Sequence, residues 1–161
     1  MPSKSADKIT SAPTLERVVR RAKTHGRTVV FTNGCFDLLH AGHVRLLEQA
    51  KRQGDLLIVG INSDASVRAI KGPRRPIVRQ RDRAIVLAGL SSVDYVTIFP
   101  EPTPERLLAR LRPHVLVKGT DWKLSEIVGR EIVQQNHGRI LRLPLLKGYS
   151  TTRLIERIKA A

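Results

Sequence analysis

The chain has 161 residues, of which 41% are hydrophobic, enough for one domain around a buried core. No apolar run approaches the ~20 residues that span a bilayer, and a lone cysteine, Cys35, rules out an internal disulfide and a multi-cysteine zinc site. There are 29 Lys and Arg against 14 Asp and Glu, a formal charge of +15 that attracts anions, while 4% aromatics leave few platforms for stacking single-stranded nucleic acid.

Residues 1–12 read as a flexible tail. They lack the apolar core of a signal peptide, and the cysteine usage fits a reducing, cytoplasmic setting. An amphipathic helix follows, with Thr14 as its expected N-cap and an end near Gly26. Arg27 to Thr32 is β-branched and predicts a buried strand. Gly42 to Gln53 carries Val44, Leu47 and Ala50 on one helical face, and Gly54 stands where a helix C-terminal glycine is expected. Leu56 to Ile61 is apolar throughout, as suits a parallel strand covered on both faces. Asp64 is the expected cap of a short helix to Ile70, and Gly72, Pro73 and Pro76 break the chain into a loop. Arg83 to Leu90 predicts a helix and Tyr95 to Phe99 a strand. Thr103-Pro104-Glu105 is a helix start, with the helix ending before Pro113. Strands at Val115 to Val117 and Arg139 to Leu143 enclose a helix over Ser125 to Gln135, and Ser150 to Lys159 closes the chain as a helix. About five strands separated by helices give an α/β fold, a single doubly wound parallel sheet, in which ligands bind beyond the carboxyl ends of the strands.

The end of the first strand is therefore the place to look for chemistry. Thr32-Asn33-Gly34-Cys35-Phe36-Asp37 leads into His40-Ala41-Gly42-His43 at a predicted helix start. Residues three apart share a helix face, and free amides with the helix dipole favour an anion. Gly34 and Gly42 let backbone approach a ligand. The segment reads as a phosphate pocket with two imidazole donors. Two histidines satisfied by backbone carbonyls, or a metal pair, are the alternatives; the metal reading needs a third ligand at a spacing that Asp37 does not offer. No Walker A loop and no G-x-G-x-x-G turn occurs. Further on, Asp121 in Lys118-Gly119-Thr120-Asp121 can accept bonds from a nucleotide's amine or ribose. The hydroxyls of Ser150, Thr151 and Thr152 open the last helix either as caps or as a second anion site. Lys71, Arg74, Arg75, Arg79, Arg81 and Arg83 form a basic stretch, read as a solvated loop or as an acceptor-side lid.

The segment GCFDLLHAGH resembles the H-x-G-H motif, with its upstream G-x-F-D, of the cytidylyltransferase-like nucleotidyltransferase superfamily. With GINSDASVRAIKG, VKGTDW and STTRLI, the stretch from about Val29 to Ile158 is similar to the adenylyltransferase domain of bacterial ADP-heptose synthases. The resemblance implies a Rossmann-like nucleotidyltransferase domain over residues 13–161. It implies transfer of AMP from ATP to a sugar 1-phosphate, foremost D-glycero-β-D-manno-heptose 1-phosphate, releasing pyrophosphate for lipopolysaccharide precursor synthesis. His40, His43 and Lys71 are then the expected catalytic residues. Thr32, Asn33, Gly34, Cys35, Phe36, Asp37, Gly42, Lys118, Gly119, Asp121, Ser150, Thr151 and Thr152 are expected at the nucleotide, and Lys71, Arg83, Asn62 and Asp64 at the acceptor phosphate. Mg²⁺ is expected on the nucleotide phosphates with no metal ligands from the protein, and a homodimer is expected. Transfer of CMP to glycerol phosphate is the alternative chemistry, and a non-catalytic nucleic-acid binder the alternative class.

Overall fold

The structure, a computed structural model, describes residues 5–161. Five parallel strands form one sheet in the order β3-β2-β1-β4-β5. They are β1 (Val29–Gly34), β2 (Leu56–Asn62), β3 (Tyr95–Phe99), β4 (Val115–Gly119) and β5 (Arg139–Leu143). The helices are α1 (Ala12–Thr24), α2 (Ala41–Lys51), α3 (Asp64–Lys71), α4 (Gln80–Ala88), α5 (Glu105–Leu111), α6 (Arg130–Gln135) and α7 (Thr151–Ala160). This is the doubly wound Rossmann-like arrangement that the alternating pattern predicts. The chain leaves β1 toward β2 and later returns to β4 on the other side of β1, so the order reverses between β1 and β4.

Side chains alternate along each strand, and the two faces receive separate apolar layers. Val29 and Phe31 of β1, with Leu56 and Ile58 of β2, pack against Leu15 and Val19 of α1 and Leu107, Leu108 and Leu111 of α5. Val30, Leu57, Val59 and Ile61 face the other way, onto Leu47 and Ala50 of α2 and Ala84, Leu87 and Ala88 of α4. Every residue of β2 is buried, as its unbroken apolar run requires.

Several local readings change. Ser11, not Thr14, caps α1: its side chain accepts the Thr14 amide, with Pro13 in the first turn. Ser63 caps α3 and accepts from Ser66. Gly54 is not a left-handed helix terminus; α2 ends at Lys51, and a Cβ at Gly54 would lie 2.7 Å from Val30 Cγ2 and 2.8 Å from the Thr28 carbonyl. The glycine is there because two chain segments meet. The helix read over 125–135 is split into a 3-10 turn at Leu124–Glu126 and α6, because Gly129 takes φ +83° between them. Part of the stretch read as a flexible tail is fastened to the sheet edge. Ser5–Lys8 is a 3-10 turn, Thr10 donates to the Val96 carbonyl, and Lys8 Nζ donates to the Leu90 and Val93 carbonyls. Residues 1–4 of that reading lie outside the described residues.

Candidate active site

At the carboxyl ends of β1 and β4, where the strand order reverses, a cleft of about 660 Å³ opens. The β1–α2 turn forms its floor. Thr32 is buried, and its hydroxyl donates to the Val117 carbonyl, tying β1 to β4. Beyond it Lys118 Nζ donates to Asn33 Oδ1 at 2.5 Å across the same gap. Burial lowers the Lys118 ammonium to about 8, opposed by the nearby Asp121 carboxylate. That leaves it mostly charged at neutral pH and poorly solvated, a state that an anionic ligand relieves.

The two histidines stand where the motif predicts. His40 is the N-cap residue of α2 but makes no side-chain cap bond; its carbonyl accepts the His43 amide at 2.9 Å, while the Ala41 and Gly42 amides have no partner among the described residues. Its ring stacks on that of His43, with centroids 3.8 Å apart and planes 18° from parallel. Phe36 supports His43 from beneath, 5.0 Å between centroids, from a left-handed backbone (φ 46°) that a residue with a Cβ rarely takes. Gly42 makes room for the stack: a Cβ there would meet the His40 ring at 3.0 Å and Tyr149 Cβ at 3.2 Å. Burial depresses both imidazoles, and the neighbouring His40 adds to the effect on His43, which falls to about 4. Both rings are neutral at pH 7. Each has a buried Nδ1 with no hydrogen-bond partner among the described residues. These orphaned nitrogens beside the free Ala41 and Gly42 amides describe a site built for a ligand with oxygens.

The opposite wall comes from the end of β4, the segments that follow β4 and β5, and the start of α7. Asp121 folds back over Gly119, where a Cβ would collide with its carboxylate. Trp122 lies with its ring centroid 5.6 Å from Lys118 Nζ. Ser150 caps α7, accepting the Arg153 amide at 3.1 Å, and Thr151 and Thr152 follow into the cleft. On the β2 side Lys71, at the end of α3, reaches the same cleft. Asn62 lines it from a buried position, its amide donating to Ser66 Oγ, Glu101 O and Pro102 O. Cys35 is half-buried there, and burial holds its thiol above the ordinary range.

Two residues expected at the acceptor phosphate are elsewhere. Arg83 is fully buried, with its guanidinium committed to the protein: Nη2 to Asp64 Oδ1 at 2.8 Å, Nη1 to the Cys35 carbonyl at 2.6 Å and Nε to the Val78 carbonyl at 3.0 Å. Neither Arg83 nor its partner Asp64 lines the cleft. The arginine that does is Arg75, held by Asp37, whose side chain is wholly buried. Asp37 also accepts the Ile77 and Val78 amides, and these bonds hold its carboxyl below the ordinary carboxylate range despite burial. It lines the cleft with its carboxylate committed to the basic loop, through Arg75 and the Ile77 and Val78 amides. Arg75, Tyr149, Leu145 and Leu146 are cleft residues that motif spacing does not reveal. Arg75 is one among several cations in its loop, and its link to Asp37 spans 38 positions.

Among known proteins, residues 31–157 match the Cytidylyltransferase-like family. The bifunctional protein HldE of Syntrophotalea carbinolica is 50% identical over 151 residues, 94% of this chain and 31% of the relative. That of Geobacter sulfurreducens is 49% identical over 154 residues, 96% of this chain and 31% of the relative. The chain thus spans about a third of the length of these relatives. Among solved structures, a lipopolysaccharide core biosynthesis protein from Thermoplasma volcanium superposes with a TM-score of 0.63 at 25% identity, covering 78% of this chain and all of that one. A pantoate-beta-alanine ligase from Francisella tularensis shares the fold, with a TM-score of 0.61 at 17% identity over 94% of this chain and 76% of that one. The histidine pair in its β1–α2 turn, at the switch point of a Rossmann-like sheet, is in keeping with these likenesses: the chain belongs to the cytidylyltransferase-like family of nucleotidyltransferases.

Proposed function

We propose that residues 13–161 act as one domain that transfers AMP from ATP to a sugar 1-phosphate, foremost D-glycero-β-D-manno-heptose 1-phosphate, giving ADP-heptose and pyrophosphate in the cytoplasm. The observation that carries this reading is the stacked neutral pair His40–His43, at an uncapped helix start, facing cationic side chains across one cleft. About half of all aligned positions are shared with proteins named HldE, which favours the heptose branch.

The acceptor's phosphate oxygen attacks the α-phosphorus of ATP. The bond from that phosphorus to the bridging oxygen breaks, and pyrophosphate leaves with the electron pair. The acceptor is already anionic at pH 7, so no general base is required. The protein's work is positioning and charge stabilisation. His40 and His43 donate N–H groups to the phosphoryl oxygens. Being neutral, they act as directed donors, strongest where charge accumulates in the transition state. Lys71 and Lys118 offset the charge on the two sides of the cleft, and the start of α7 with Ser150 and Thr151 receives the leaving pyrophosphate. Among the described residues no cluster of three or more His, Cys, Asp or Glu stands ready for a metal. Of the two carboxylates that line the cleft, Asp37 is held by Arg75, and Asp121 has no arginine partner among the described residues. That donor set fits Mg²⁺ bound chiefly by phosphates and water. When bound, the ion supplies charge neutralisation on the polyphosphate.

The test is pyrophosphate release from ATP and CTP against a panel of sugar 1-phosphates, glycerol 3-phosphate included, with wild type and His43→Ala. Turnover is expected with ATP and heptose 1-phosphate, and a kcat lower by ~10²-fold in the variant, the scale of one lost transition-state donor. Preference for CTP with glycerol phosphate would replace the substrate assignment. Undiminished turnover by the variant would remove the histidines from the chemistry.

A further inference from the structure

Granting that the cleft is a nucleotidyl-transfer site, the structure also indicates which end takes the acceptor and which residue grips it. We infer that Arg75, oriented by the buried carboxylate of Asp37, is the ligand of the acceptor's phosphate. The sheet order places the β1–α2 turn between two walls. Lys118, Asp121 and Ser150 to Thr152 belong to the β4, β5 and α7 side, whereas Lys71 and Arg75 belong to the segment that follows β2. In-line displacement puts the incoming oxygen and the departing pyrophosphate on opposite sides of the α-phosphorus. With the helix start of α7 receiving pyrophosphate, the acceptor must come from the β2 side.

On that side Arg75 alone is held in one orientation. Its Nε is bonded to Asp37 Oδ2, and its side chain is 18% exposed. Asp37 is fixed in turn by the Ile77 and Val78 amides. The pairing runs through Nε and leaves the terminal amino groups for a ligand. A planar guanidinium held by its Nε edge presents a fork matched to two phosphate oxygens, which an ammonium group cannot do. Lys71, Arg75 and the buried Arg83 all act on the Cys35 thiol electrostatically, so their positive charge converges on one point of the cleft wall. Asp37 has the further consequence of joining the turn that carries the histidines to the loop that carries Arg75. It is a positioning residue, acting on the acceptor through Arg75.

The test uses the full chain and the variants Arg75→Gln, Arg75→Lys, Asp37→Asn and the double variant Asp37→Asn/Arg75→Gln. Each is first titrated calorimetrically with α,β-methylene-ATP and Mg²⁺, then, once saturated, with inorganic phosphate as the acceptor probe. Arg75→Gln is expected to weaken phosphate by about tenfold or more, the scale of a lost charge-assisted hydrogen bond, and to leave the nucleotide within about twofold. Arg75→Lys is expected to recover only part of the loss. Asp37→Asn is expected to weaken phosphate alone and to add little in the double variant, because both changes act on one interaction. Equal weakening of nucleotide and phosphate by Arg75→Gln, or unchanged phosphate affinity, overturns the assignment. Additive losses in the double variant overturn the role of Asp37. The binding arms need no turnover, so a wild type that releases no pyrophosphate would defeat the proposed reaction while leaving this contrast to be judged separately.

Discussion

The β1–α2 turn holds two imidazoles against each other in a setting that keeps both uncharged, and this has a consequence for stability. An ordinary histidine has a pKa near 6.5, whereas His43 in the fold is held at about 4, chiefly by burial. Between those values the unfolded chain binds more protons than the native one, so stability rises with pH there. The contribution is complete above about pH 6.5 and is lost as pH falls through about 4. His40 and His114 are depressed in the same direction and add to the trend. His43→Gln, which cannot take up that proton, should flatten the fall in Tm between pH 6.5 and 4. A variant whose Tm falls as steeply as wild type over that window would show that His43 titrates normally in the fold. Saturating ATP should act against the acid loss, since phosphates beside an imidazole favour its protonated form.

Between single residues and the whole chain, elements are fastened by polar side chains that a motif search assigns to ligands. Arg83 binds the start of α3 through Asp64, the β1–α2 turn through the Cys35 carbonyl and its own loop through the Val78 carbonyl. Arg83→Met should therefore cost about 3 kcal/mol or more, since it strips a buried guanidinium of three connections and leaves Asp64 unpaired. Denaturant midpoints at equal slope measure this. A variant of wild-type stability with a raised acceptor KM would return Arg83 to the phosphate. The strands and most helix positions were legible because burial on both faces imposes continuous apolar runs, as in β2, and because β3 and β5 are set off by turn residues. The turn at Thr32 to His43 was legible because its chemistry is local. Gly54 and the unbroken helix over 125–135 are misread because the constraints there, contact with Val30 and Thr28 and a left-handed break at Gly129 before α6, arise from tertiary placement. Arg75 and Arg83 cannot be told apart in the sequence for the same reason: the two arginines stand eight positions apart in one basic stretch, and only the fold decides which meets the cleft.

For the molecule as a whole, 29 basic residues stand against 14 acidic ones, and the cations that line the cleft are Lys71, Arg75 and Lys118. A positive field over a concave site draws in polyphosphates and sugar phosphates alike, and an ordered set of donors is needed to sort them along the cleft. No helix among the described residues is long and apolar enough to cross a membrane. The relatives named HldE are about three times as long as the matched segment, so the reaction proposed here is that of one part of such a protein. The most direct measurement is a crystal structure of the chain with an ATP analogue and Mg²⁺. Phosphate oxygens are expected within hydrogen-bonding distance of His40 and His43, with the β- and γ-phosphates at the start of α7. A triphosphate bound away from β1 and β4, with both rings still stacked and untouched, would contradict it.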